Sequence, residues 1–481
     1  MGFATILIFK KWLCFMKRTK HPLPPGPTGY PIVGCLPQMM KNKPAFRWID
    51  KLMQEINSEI ACIRLGNTHV IVVTSPELAR EFLRKQDAVF ASRPNCMSGN
   101  LTSNGFLTAA ISPMGDQWKK MRKNYCLGSS SPAICTKGSM RKECEEADHL
   151  VRYVYEQSSR NPLANGLVNV RVAAQHYCGN VTRKLVFSKR FFGVGTEDGG
   201  PGMEENEHVN ALFTILKYLY GFAIGDHLPW LEVFDLDGCK RILKDAIKSL
   251  KKYHDPEIDR RVEMWRQGMR KTEEDILDVL INLKDSKNNW LLSIEEIKAQ
   301  IIEIMLAAID NPSNAVEWAL AEMINQPDIL DKACKELDQV APFNVPHVSM
   351  KETTVGGYFI PKNSYVLLSR SGLGRNPRIW EDPLIYRPER HIVNKDSEVT
   401  LMDHDLRMIS FSTGRRGCSG VLLGSTMTII LLARLIQGFS WSSRAPNNID
   451  LTESEGNLQM AKPLIAYAMP RLEPHVYLKL M

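Results

Sequence analysis

Phe411-Ser412-Thr413-Gly414-Arg415-Arg416-Gly417-Cys418-Ser419-Gly420, followed by the apolar run Val421 to Phe439, is the stretch on which the fold turns. A cysteine stands in a glycine-rich turn ahead of a helix. Glycines let the backbone approach a flat ligand closely. Backbone donors and a helix N-terminus favour a thiolate over a thiol and lower its basicity toward a metal. Arg416 offers a fixed charge for a carboxylate. Phe411 is placed to shield the sulfur from water. A single cysteine after such a turn is, by itself, most often a buried thiol.

Outward from this turn, helical periodicity dominates. The strongest helix runs from Ile294 to Asn325. Ser293 and Glu296 form a capping box at its start, and Gln326-Pro327 ends it. Its centre, Ile301 to Ile309, is apolar except for Glu303. A helix apolar all round belongs in the middle of a protein. Pro312 removes one backbone bond, which predicts a kink near Ala308. Alternation over Ala61–Thr74 predicts two strands joined at Gly66-Asn67. Ser75-Pro76-Glu77 then opens a helix. Gly193 to Gly202 is a polar loop, and Val209 to Ala223 is an apolar segment that suits a ligand or the core. Short strands are expected at Gly357–Ile360 and Tyr365–Leu368. The class is mainly α with a small β part.

The 481 residues, with 44% hydrophobic content, are enough for a large core. No linker, repeat or low-complexity block divides them. The boundaries are residues 1–20 as a short head, 21–34 as a Pro-rich hinge and 35–481 as one body. The head alternates Phe3 to Phe9, Lys10-Lys11, Trp12 to Met16 and the basic Lys17-Arg18-Thr19-Lys20. A spanning helix needs about 20 apolar residues. The head therefore reads as a shortened anchor or interfacial helix with a cytosolic basic flank, or equally as a disordered start. Eleven cysteines occur with no Cys-x-x-Cys pair, as in reduced proteins facing the cytosol. The net charge of +8 suits an acidic partner or an anionic membrane surface. Basic residues are not gathered in one arm with aromatics between them, so nucleic acid is excluded as a partner.

The pattern Phe-x-x-Gly-x-Arg-x-Cys-x-Gly resembles the haem-binding signature of the cytochrome P450 family, with all five positions filled. Trp118-Lys119-Lys120-Met121-Arg122 is similar to the family helix whose Trp and Arg meet a haem propionate. Pro388-Glu389-Arg390-His391 resembles its Pro-Glu-Arg segment, and the Pro-rich stretch its hinge. The resemblance covers nearly the whole chain and implies the cytochrome P450 fold, haem b and Cys418 as the iron ligand. It assigns the haem to Trp118, Arg122, His347, Phe411, Gly414, Arg416 and Gly420. Thiolate ligation favours cleavage of dioxygen. The resemblance also implies electrons from NADPH through NADPH-cytochrome P450 reductase, at the cytosolic face of the endoplasmic reticulum membrane. Lys119, Lys120, Lys123 and Arg415 are candidates to face that reductase.

Asp310-Asn311-Pro312-Ser313-Asn314-Ala315 stands where most of the family carry a threonine that helps deliver protons. This departure resembles the plant amino-acid N-monooxygenases, as do Ser103–Ala110, Pro342–His347 and His391. The resemblance implies two N-hydroxylations of an L-amino acid, then loss of water and carbon dioxide to give an aldoxime. Asn311 can donate and accept hydrogen bonds but cannot titrate, whereas Asp310 can relay protons. Substrate contacts fall to Asn104, Phe106, Phe343, Asn344 and Val345. The alternatives are a cytochrome P450 that hydroxylates carbon, and a non-catalytic, haem-poor product.

The last alternative arises from one departure. The family's Glu-x-x-Arg helix, which pairs with Arg390, has no counterpart after the central helix. Glu336 to Val340 runs directly into Ala341-Pro342-Phe343. The fold is thus expected to be incomplete between Val340 and Ala341. Four other Glu-x-x-Arg matches, beginning at Glu77, Glu81, Glu257 and Glu263, precede the central helix. They are ordinary helix-surface pairs. A buried arginine without its partner would cost about 3–5 kcal/mol, against a typical stability of about 5–15 kcal/mol.

Overall fold

The computed structural model describes residues 21–129, 137–160, 166–326, 344–383, 385, 387, 390, 405–443, 449–454 and 459–480. The expected head at 1–20, the Val340–Ala341 junction, Phe343 and His391 lie outside them. The chain forms two compact units interleaved in sequence. One comprises Met1–Pro94, Phe343–Glu381 and Asp403–Arg416; the other comprises Asn95–Pro342, Asp382–Met402 and Gly417–Met481.

The first unit is built on a sheet. Ile60–Leu65 and Thr68–Val73 pair antiparallel around the expected turn. Thr68–Val73 pairs parallel with Tyr365–Leu368, which pairs antiparallel with His347–Val348. Ser75 caps the helix Pro76–Arg80 by accepting from Leu78 N. Ile71, Val73, Phe82, Leu83, Phe90, Val366 and Leu368 form its core. The Pro-rich hinge bonds to this sheet and to the separate two-stranded sheet of Thr353–Val355 and Tyr358–Ile360: Cys62 N donates to Pro25 O (2.8 Å) and Phe359 N to Pro22 O (2.8 Å). A Cβ on Gly26 would stand 1.8 Å from Cys62 O, so only glycine fits there.

The second unit is helical around the central helix Ile294–Asn325, whose capping box is complete. That helix packs on Val170–Phe187 and on Val421–Gly438. It continues through Pro312; Ser313 Oγ bonds back to Ile309 O (2.7 Å) and Asp310 O (3.0 Å), which occupies carbonyls near the missing amide. Glu317, fully buried, accepts from Arg171 Nε (2.9 Å) and from Leu464 N (2.9 Å), fastening the helix to the C-terminal strands. The helix Val421–Gly438 has the length and hydropathy of a membrane span, but Met427, Leu431, Leu432 and Leu435 are core residues. The apolar segment at Val209–Ala223 lies partly in the helix Met203–Tyr218, with Val209, Leu212 and Ile215 in the core.

Arg390 departs from expectation. It is not a stranded buried charge: it is half-buried and donates to Arg387 O (3.2 Å), Asp382 O (3.2 Å) and Ile385 O (2.8 Å) within its own loop. Carbonyl oxygens satisfy the guanidinium, so the penalty of an uncompensated buried ion does not arise.

Candidate functional site

In the helical unit, Cys418 is an exposed cysteine, whereas Cys35, Cys62, Cys96 and Cys178 are buried. Burial pushes the Cys62 thiol up to about 12 and Cys96 up to about 11, which makes them inert. Cys418 Sγ instead accepts a hydrogen bond from Gly420 N at 3.3 Å, and Gly420 caps the helix Val421–Gly438. Arg122, on the helix Asp116–Ser129, donates through Nη2 to Gly417 O at 2.7 Å. That bond holds the peptide immediately before the sulfur. Trp118, one turn earlier, is buried. Lys120 between them is committed internally: its ammonium meets Glu296 Oε1 at 2.6 Å and Oε2 at 2.8 Å. It is therefore withdrawn from the expected reductase-facing set. Lys119 pairs with Asp116 on the surface, Lys123 is exposed, and in the sheet unit Arg415 lies 3.3 Å from Asp87.

The central helix is buried along most of its length but opens at Ala307 and Asn311, both exposed, with Ala308 half-buried between them. These residues share one face at i, i+4 spacing. Asn311 Nδ2 donates to Ala307 O at 3.4 Å, so the carboxamide lies along this face. Asp310 turns inward. Its carboxyl is buried, and burial pushes it up to about 7 despite the hydrogen bond from Asn314 Nδ2 at 2.7 Å. The two expected catalytic residues are thus adjacent in sequence and face different surroundings.

The segment Ser103–Ser112 carries Asn104 and Phe106, both at positive φ. Asn104 Nδ2 donates to Glu295 Oε2 at 3.1 Å, at the start of the central helix. Phe106 is half-buried, its amide donating to Ser103 Oγ at 2.8 Å. Sequence reasoning marked Glu303 only as the exception in an apolar stretch. The structure shows its carboxylate receiving the amides of Ala109, Ala110 and Ile111. The isolated acid was the signal; its partner segment was not legible.

In the sheet unit, Gly414 has φ +70, and a Cβ would stand 2.4 Å from Leu83 O. Arg416 is buried and donates from Nε to Ala91 O at 2.6 Å. Phe411 is half-buried. His347 is buried; Nδ1 donates to Phe90 O at 2.8 Å, and Nε2 has no hydrogen-bond partner among the described residues. Burial, with Arg93 and Arg416 adding to it, holds its pKa well below the ordinary histidine range. Asn344 is buried and pinned: Leu368 N donates to its Oδ1 at 2.9 Å and its own amide donates to Leu368 O at 3.2 Å. Its Nδ2 has no partner among the described residues. Val345 is exposed.

The residues present fit a haem. In the helical unit an exposed thiol stands on a glycine turn beside a backbone donor. In the sheet unit His347 Nε2 is buried without a hydrogen-bond partner among the described residues. The family model described as Cytochrome P450 matches residues 24–342 and 339–467, and its two stretches meet at the Val340–Ala341 junction. A tryptophan N-monooxygenase of Prunus mume is 51% identical over 490 residues, covering 95% of this chain and 91% of the relative. Isoleucine N-monooxygenase 1 of Lotus japonicus is 50% identical over 508 residues, covering 98% and 95%. A tyrosine N-monooxygenase of Sorghum bicolor is 48% identical over 491 residues, covering 95% and 87%. The 508-residue alignment is longer than the 481-residue chain, so gaps open within it. With matches this long, and with Cys418 presented on the family's turn, the chain belongs to the cytochrome P450 family of haem monooxygenases, in its group of amino-acid N-monooxygenases.

Proposed function

We propose that this chain N-hydroxylates the amino group of an L-amino acid and, after a second hydroxylation and loss of water and carbon dioxide, releases an aldoxime. The observation that carries this reading is the open Ala307–Asn311 face of the central helix, where a carboxamide stands in place of a hydroxyl. An amine substrate brings its own exchangeable protons, so a hydroxyl relay is dispensable there. The relatives named for tryptophan, isoleucine and tyrosine support the substrate class.

Haem iron, when bound, supplies dioxygen activation with electrons from NADPH through a reductase. Cys418 would ligate it, with Gly420 N–H tempering the sulfur. Arg122, Trp118, Arg416 and His347 would hold the propionates. A carboxylate beside His347 Nε2 would offset the burial that keeps the ring neutral. Asn344 Nδ2, its amide plane fixed by Leu368, is a donor suited to the substrate carboxylate. Asn104, Phe106, Phe343 and Val345 complete the substrate set. Asp310 sits near neutrality, as a proton relay requires. Lys119, Lys123 and Arg415 offer charge to an acidic reductase, and the basic head suits the cytosolic face of the endoplasmic reticulum membrane. Feeding each protein amino acid to the purified chain with reductase and NADPH tests the reading by mass spectrometry of products. Detection of one aldoxime supports it; absence of aldoxime from all of them, with haem bound, rejects it.

One observation favours a second reading, a haem-poor product. The family match falls into two stretches that meet at 339–342, the junction at which the sequence reading expects a helix to be missing. The carbon monoxide spectrum of the reduced, purified chain decides between them: a thiolate-type band at full haem content rejects the second reading.

A further inference from the structure

Glu303 is the one carboxylate in the apolar middle of the central helix, and its partners are backbone amides of another segment. Oε1 accepts from Ala109 N (3.2 Å) and Ala110 N (2.9 Å); Oε2 accepts from Ala110 N (3.0 Å) and Ile111 N (3.0 Å). Gln300 supports both sides, donating to Glu303 Oε1 at 3.1 Å and accepting from Ala109 N at 3.1 Å. Three successive N–H groups converging on one anion form a nest. Here the anion belongs to the protein, so the nest acts as a clamp.

The clamped segment is braced elsewhere too. Thr108 N donates to Ser112 Oγ (3.0 Å), Ser112 Oγ to Phe106 O (2.5 Å), and Asn104 Nδ2 to Glu295 Oε2 (3.1 Å). Glu303, Ala307 and Asn311 recur every four residues and therefore share a stripe. Its Glu303 end is buried and bonded, and its Ala307–Asn311 end is exposed. Ala110, whose amide is held by both Glu303 oxygens, is itself exposed.

We propose that Glu303 is a positioning residue for amino-acid selectivity: its carboxylate fixes the Phe106–Ser112 backbone so that Ala110 sets the space available above the Ala307–Asn311 face. This rests on the N-hydroxylation reading. A neutral glutamine presents one acceptor and one donor where the nest needs acceptors only, so Glu303→Gln frees at least one of the three amides. Glu303→Asp keeps the charge but draws it back by one methylene.

The test uses the full chain with haem. Amide exchange at residues 109–111, amino-acid-induced spectral shifts for phenylalanine, tryptophan, tyrosine, valine and isoleucine, and aldoxime kinetics are compared for the parent chain, E303Q, E303D and Ala110→Val. The proposal expects E303Q to speed exchange at 109–111 and to flatten the preference between best and second amino acid by about tenfold. The loss falls on KM rather than kcat, and E303D recovers part of it. A110V shifts the preference toward smaller side chains. If E303Q loses preference for none of the five while exchange rises, selectivity does not pass through Glu303 and the proposal is overturned. Should E303Q fail to take up haem, an unchanged preference in A110V overturns it as well. A parent chain that binds none of the five amino acids removes the underlying reading, and is told apart because it fails before any substitution.

Discussion

Asn314 Nδ2 donates to Asp310 Oδ1 at 2.7 Å, one turn along the central helix, and lowers the pKa of a carboxyl that burial pushes up to about 7. The folded form holds the proton more tightly than the unfolded chain, whose ordinary value is 3.8. Stability attributable to this group is therefore full below the ordinary value and declines as pH rises toward 7. A shift from 3.8 to about 7 corresponds to about 4 kcal/mol as an upper bound. Asp310→Asn should raise the melting temperature relative to the parent chain more at pH 8 than at pH 4. It should also remove a limb near pH 7 from the rate profile. Asn314→Leu should move that limb upward, because the hydrogen bond that favours the anion is lost.

A second pH effect has the opposite sign. His208 Nε2 and His254 Nε2 lie 2.8 Å apart in a buried cage that includes Phe187, Phe192 and Tyr253. Burial holds both well below the ordinary value, His254 at about 3. The unfolded chain takes up protons near 6.5 while the folded chain does not, so stability falls as pH drops below 6.5. Each histidine contributes about 2 kcal/mol of loss between pH 6.5 and 5. Urea midpoints at pH 7.5 and pH 5 should show this loss, and His208→Leu combined with His254→Leu should shrink it.

Gly414→Ala should destabilise the sheet unit. The position sits at φ +70, and the new Cβ would meet a backbone oxygen, Leu83 O, at 2.4 Å. The left-handed conformation alone costs a non-glycine residue about 1–2 kcal/mol, and the backbone must shift besides. Thermal unfolding should register the loss, with haem retention falling in parallel.

Cys418→Ser should leave far-ultraviolet circular dichroism near that of the parent chain, since the sulfur is exposed and accepts from the Gly420 amide. Haem incorporation and the thiolate-type carbon monoxide band should both be lost. Retention of both in the serine variant would dismiss the sulfur as ligand.

The central helix was readable to its ends because its signals are local: Ser293 and Glu296 at the start, Gln326-Pro327 at the stop. The strand pair around Gly66-Asn67 was readable for the same reason, and the cysteine turn through its spacing. What the sequence concealed are partners set by tertiary placement. Glu303 stood out as a lone acid, but nothing near it pointed to Ala109–Ile111. Asn344 looked like a ligand contact, and half of its carboxamide is spent on Leu368. Lys120 looked free and closes on Glu296. Arg390 looked abandoned and found main-chain oxygens in its own loop. Polar side chains reach across the fold, and their bonds are decided by geometry that no window of residues encodes.

The proline-rich strap bonded to strands of two sheets has a practical consequence for anyone shortening this chain. A cut ahead of His21 leaves Pro22 and Pro25 in place to receive Phe359 and Cys62. A cut a few residues further strips two sheet amides of their acceptors. The safe trimming point is set by hydrogen bonding to a strand, not by where hydrophobicity ends.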